Sequence, residues 1–112
     1  MPIPLYQAKA DFFRALGHPV RIRVLELLVQ RDQAVYEMLA DIGVEASSLS
    51  QHLAVLRRTG LIRQQRIGGE VVYSLVVAET AELLRAARSV LHLVLADGEQ
   101  LIRELDPARN AP

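Results

Sequence analysis

Between Ala46 and Gly69 the chain carries Arg57, Arg58, Arg63 and Arg66 and no Asp or Glu. Ahead of the first two arginines stand the short hydrogen-bonding side chains Ser47, Ser48, Ser50 and Gln51, followed by His52. Such a set is suited to recognition rather than bond-making. A serine hydroxyl lets a helix come close to a base edge or a phosphate, a glutamine amide can pair bidentately with adenine, and a guanidinium neutralises a phosphate. Read as a helix, the stretch puts Leu49, Leu53 and Leu56 on one narrow face. Ser47, Gln51, Ala54 and Arg58 lie opposite, with Ser48, Ser50 and Arg57 on the flanks. A helix that enters the major groove of DNA needs one apolar side to bury and one acid-free side to present. An amphipathic helix whose polar face simply meets water shows the same pattern, so the neighbouring elements must decide.

Those elements can be read from periodicity and punctuation. Residues 5–16 read as a helix closed by Gly17, and Pro19 opens a second helix over 20–30, at the position where its missing N–H costs nothing. Asp32 and Gln33 read as a short break. Val35 to Ile42 read as a third helix stopped by Gly43, and Ser47 to Arg58 as a fourth stopped by Gly60. From 61 to 76 the period changes to alternation. Gly68-Gly69 stands between two such runs as a two-residue hairpin turn, with Ile62, Val71, Tyr73 and Leu75 on the side to be buried. Helical spacing returns over 79–105, about 40 Å of helix at 1.5 Å per residue, before Pro107.

The resulting fold class is mainly α with a small β-hairpin: one domain over 1–112, a helix-turn-helix at about 35–59 and a wing at about 61–76. A hairpin placed directly after a helix-turn-helix puts Arg63, Arg66 and the Gly68-Gly69 tip where a wing can lie along a DNA backbone or minor groove. The last segment is apolar over much more than one stripe (Leu83, Leu84, Ala87, Val90, Leu91, Leu93, Val94, Leu95, Leu101, Leu105), more than so small a core can cover. One face therefore calls for a partner, and a second copy related by a twofold axis would set two recognition helices about one DNA turn, roughly 34 Å, apart.

Composition excludes other classes. The chain has 112 residues, a formal net charge of +0 and no cysteine. A neutral total argues against a generally basic, sequence-blind nucleic-acid binder, and the missing thiol rules out disulfides, thiolate metal sites and thiol redox chemistry. The N-terminus shows no secretory pattern, and "VLHLVLA" is far short of the roughly 20 apolar residues of a membrane span. A cytoplasmic protein is expected. There is no nucleophile elbow and no phosphate-cradling glycine loop, so no enzyme is expected.

The sequence resembles the ArsR/SmtB family of small dimeric bacterial transcriptional regulators. "FFRALGHPVRIRVLELL" (12–28) is similar to that family's opening pattern. "VYEMLADIGVEASSLSQHLAVLRRTGLI" (35–62) is similar to its helix-turn-helix, with the S-x-H-L-x-x-L core at Ser50, His52, Leu53 and Leu56. "RQQRIGGEVVYSL" (63–75) is similar to its wing. The resemblance implies a winged-helix homodimer on a twofold-symmetric DNA operator, with dimerisation helices at about 5–16 and 79–105.

It also locates two metal sites of the family. Where relatives carry the thiolate motif, this chain has Ala34, Val35 and Tyr36. Where relatives place acid and histidine ligands on the last helix, it has Glu79, Ala81, His92 and Leu95, so that only Glu79 and His92 keep a ligating side chain. His18 is a further candidate ligand, although it reads first as a surface turn residue. His52 reads as packing or bonding between helices, with phosphate contact as the alternative. Tyr36 reads as packing, Met38 as core.

The expected function is a sequence-specific DNA-binding regulator with no cofactor, contacting DNA through Ser47, Ser48, Ser50, Gln51, His52, Arg57, Arg58, Arg63, Arg66, Gly68 and Gly69. Two other readings fit the same residues. One is a nickel-, cobalt- or zinc-responsive regulator using Glu79, His92 and His18. The other is a dimeric module that binds a partner protein.

Overall fold

The computed structural model describes residues 2–96. In chain order these form α1 (Leu5–Leu16), α2 (Pro19–Gln30), β1 (Gln33–Ala34), α3 (Val35–Ile42), α4 (Ala46–Thr59), β2 (Ile62–Ile67), β3 (Glu70–Leu75) and α5 (Thr80–Val94). The helices start and stop for local reasons. Pro19 occupies the first turn of α2, and the His18 side chain caps that helix, its Nδ1 accepting from the Val20 amide at 3.1 Å. At the start of α3 the Glu37 carboxylate accepts from the Ala34 amide at 3.0 Å, a negative charge where the helix dipole favours one. Helices α3 and α4 end at Gly43 and Gly60.

The core lies where α2, α3 and α4 meet the hairpin. Val24 and Leu25 of α2, Met38 of α3, and Leu49, Leu53 and Leu56 of α4 are fully buried, with Leu61, Ile62 and Tyr73 closing the sheet side. Burying a leucine side chain contributes roughly 1.5–3 kcal/mol, so the three leucines of α4 fix which way that helix faces. Their burial leaves its serine- and glutamine-bearing side outside.

The hairpin follows the alternation. Strands β2 and β3 pair antiparallel from Ile62↔Leu75 to Ile67↔Glu70. Gly68 and Gly69 both have positive φ (58° and 82°), the geometry of the tight turn that suits twisted strands and that other residues adopt only under strain.

The structure corrects the sequence expectation at several points. The Asp32–Gln33 break contains a short strand: Gln33 and Ala34 pair with Tyr73 and Val72, making a three-stranded sheet of order β1-β3-β2. Two residues are too few to show a period, so only the pairing reveals the strand. Tyr36 does not pack but is 64% exposed. Helix α5 ends at Val94 with Leu95 as its cap. Leu101, Leu105 and the expected stretch 97–105 lie outside the described residues.

Candidate nucleic-acid interface

The turn Gly43 to Glu45 joins α3 to α4, and α4 presents its polar side outward. Ser47, Ser50, Gln51, Arg57 and Arg58 are exposed and Ser48 is half-buried, in agreement with the wheel drawn from the sequence. Arg57 and Arg58 occupy the last turn, where positive charge also suits the helix dipole.

The ion pairs among the described residues all lie away from this surface. Arg14 pairs with Asp11 (2.9 Å), Arg23 with Glu26 (3.2 Å) and with Asp41 (2.8 Å), and Arg31 with Glu37 (2.6 Å). The Arg23 guanidinium holds the Asp41 carboxyl below its ordinary range, and Arg31, followed by the Ala34 amide, does the same for Glu37. Neither α4 nor the hairpin contributes a charge to these pairs. Arg57, Arg58, Arg63 and Arg66 are in none of the ion pairs among the described residues, and exposed Glu45 and Glu70 stand at the two margins of the acid-free segment.

The structure does not gather every expected contact residue on one surface. Arg63 and Arg66 are three positions apart on β2, so strand alternation sends them to opposite faces of the hairpin. Arg66 is tied to the tip, its Nη1 donating to the Gly69 carbonyl at 3.1 Å. Ile67, beside the turn, is 54% exposed.

His52 is turned toward α2. Its Nδ1 accepts from Arg21 Nε at 3.1 Å, and its ring lies over that of His18 with centroids 4.1 Å apart. Burial first, then the charges of His18 and Arg21, push the His52 pKa below its ordinary value, so the ring is held neutral with its proton on Nε2. Sequence reasoning missed Arg21 because its partner lies 31 residues away. The wheel position of His52, at the edge of the leucine face, was the available signal.

The metal candidates are scattered. His18 already uses Nδ1 as a helix cap. Glu79 precedes the first residue of α5 and His92 lies in its last turn, about 20 Å along the axis at 1.5 Å per residue. Within one chain these two cannot share an ion. Among the described residues no group of three or more His, Cys, Asp or Glu is placed to hold a metal.

A buried-leucine helix with an acid-free outer face, set behind a short helix and ahead of a two-stranded hairpin, is a winged helix-turn-helix, an architecture of DNA-reading proteins. Comparison with known proteins narrows the class. Residues 18–64 match the family model described as bacterial regulatory protein, arsR family. An HTH-type transcriptional regulator of Mycobacterium tuberculosis is 50% identical over 103 residues, covering 91% of this chain and 90% of the relative. A crystal structure of a Mycobacterium tuberculosis protein superposes with a TM-score of 0.79 at 52% identity, covering 86% of this chain and 97% of the other. A solution structure from Mycobacterium bovis, described as a homodimeric winged helix-turn-helix DNA-binding domain, gives 0.72 at 25% identity over 82% of this chain and 86% of the other. This chain belongs to the ArsR family of bacterial transcriptional regulators. None of the helices among its described residues is long and apolar enough to cross a membrane.

Proposed function

We propose that the protein is a homodimer that reads a twofold-symmetric DNA operator, inserting α4 of each protomer into successive major grooves. The observation that carries this reading is the exposed, acid-free face of α4, fixed outward by the burial of Leu49, Leu53 and Leu56. In this reading Ser47, Ser50 and Gln51 meet base edges, Arg57 and Arg58 meet phosphates where the helix leaves the groove, and the tip at Gly68-Gly69 with Arg66 follows the adjacent backbone.

The dimer interface falls to α1 and α5. Leu5, Tyr6 and Phe13 on α1, and Val90, Leu91, Leu93 and Val94 on α5, are all more than half exposed in the single chain. That is more apolar surface than a monomer leaves to water without use. The Mycobacterium bovis relative, described as homodimeric, supports a dimer. With no cysteine anywhere in the chain, the signal this regulator answers is neither a thiolate-bound metal nor a thiol redox change.

Selection of binding sites from random-sequence duplexes, with sedimentation of the free protein, tests the reading. The expected result is a dimer that enriches an inverted repeat with half-site centres about 10 base pairs apart. A monomer, or a pool with no enriched sequence, would overturn it.

A further inference from the structure

One arginine of the core layer is not used by the DNA-facing surface and has no carboxylate partner among the described residues. Arg21 on α2 is half-buried, and none of the ion pairs among the described residues includes it. Its guanidinium instead spans two other helices. Nη1 donates to the Ala15 carbonyl in the last turn of α1 at 2.7 Å, and Nε donates to Nδ1 of His52 on α4 at 3.1 Å.

Both acceptors suit a cation. The last carbonyls of a helix lack partners along their own helix and carry the negative end of its dipole. The neighbouring carbonyls of α1 are taken by the backbone, Arg14 by the Gly17 amide and Leu16 by the His18 amide. Ala15 is met by Arg21. The neutral His52 ring, stacked on His18, offers its unprotonated nitrogen in a fixed direction.

A partly desolvated cation with only neutral acceptors is a weak device for stability. It is a good one for geometry, because a guanidinium donates in fixed directions from a rigid plane. The two helices it joins are the ones whose relation matters for reading DNA as a pair: α1 carries exposed apolar residues for the twofold interface, and α4 carries the contact face.

We propose that Arg21 is a positioning residue that sets the recognition helix α4 relative to the dimer-forming helix α1, and so sets the half-site spacing the dimer accepts. The proposal rests on the dimeric DNA-reading function above. Ala15 and His52 are its two anchor points, and His18 holds the His52 ring from the other side.

The test uses the full chain and the duplex that it selects from random DNA, together with the same duplex carrying one extra base pair between half-sites. The preference of wild-type protein for the first over the second is the readout. Arg21→Met keeps the apolar stem and removes both hydrogen bonds, and should lower that preference roughly tenfold, as expected for lost bonds to a charged group, while binding to an isolated half-site holds. His52→Gln, whose amide oxygen can accept from Arg21, should retain the preference that His52→Ala loses. Arg21→Met and His52→Ala should not be additive.

A merely structural role would lower the melting temperature of Arg21→Met and leave its spacing preference intact, and that result overturns the proposal. Additive effects overturn it as well, and equal behaviour of His52→Gln and His52→Ala overturns it even if Arg21→Met fails to fold. Failure of the wild-type chain to select any duplex overturns the underlying function and this proposal with it.

Discussion

Arg58→Ala tests the phosphate contact proposed for the end of α4. Arg58 is exposed in the last turn of α4, opposite the buried leucines, and none of the ion pairs among the described residues includes it. Its removal should leave the fold intact, apart from a few tenths of a kcal/mol of favourable charge at a helix C-terminus. One arginine per protomer means two per dimer. If each neutralises one phosphate, the slope of log affinity against log salt should become shallower by about 1.8, from about 0.9 per contact. Across a fourfold rise, from about 50 to about 200 mM salt, the gap between wild type and variant should then close by about tenfold. Fluorescence anisotropy with the selected duplex and with a scrambled duplex measures both slopes. Because a phosphate carries no sequence information, the two duplexes should show the same change. Parallel slopes, or a loss confined to the selected duplex, would place Arg58 off the backbone and refute the division of α4 into a base-reading start and a phosphate-binding end.

Gln51→Ala should do the reverse, costing about 1–3 kcal/mol on the selected duplex at each half-site and almost nothing on the scrambled one. Glu70, exposed beside the wing tip, places a negative charge near the expected path of the backbone. Glu70→Gln should therefore tighten binding to both duplexes at low salt, as read by the same anisotropy assay. Leu91→Glu, at a position 54% exposed in the single chain, should shift sedimentation from dimer to monomer, because a twofold axis brings both new charges into one interface. Folding should depend on His52. Its folded pKa lies below the ordinary 6.5, so the neutral-ring contribution to stability is complete above that value and is lost as pH falls below it. The urea midpoint should drop between pH 7.5 and 5.5, and the drop should shrink in His52→Gln.

The parts of this fold that were legible from the sequence are those governed by local chemistry. The leucine period of α4, the Gly43 and Gly60 stops, Pro19 and the Gly68-Gly69 turn each state their role within a few residues, and the structure keeps all of them. What escaped depends on distant partners. Gln33 and Ala34 are a strand only because β3 lies beside them. The place of His52 at the edge of the leucine face signals an inward role, but its partner Arg21 lies 31 residues away and cannot be read from α4 alone. Tyr36 reads as packing rather than ligating, yet it extends from the first turn of α3 into solvent. Arg63 and Arg66 belong together by charge, and strand alternation separates them. The outward face of α4 was legible because the inward face is so strongly specified.

The zero net charge is better understood as an allocation than as an absence. Asp11, Glu26, Glu37 and Asp41 are engaged by Arg14, Arg23 and Arg31, and none of the ion pairs among the described residues draws on the arginines of α4 or the hairpin, which leaves these as a local positive field with Glu45 and Glu70 at its margins. Screening confines that field to within about 8–10 Å at moderate salt, so attraction develops only once this surface is close to the duplex. The same carboxylates also brace the helix ahead of the reading helix. Asp41 anchors α3 to α2 through Arg23, and Glu37 anchors the start of α3 to Arg31 at the end of α2. Keeping acids off the outer face of α4 and fixing the helix-turn-helix are thus one arrangement of charge. Arg21, the α2 arginine left out of it, is the one that turns to α4.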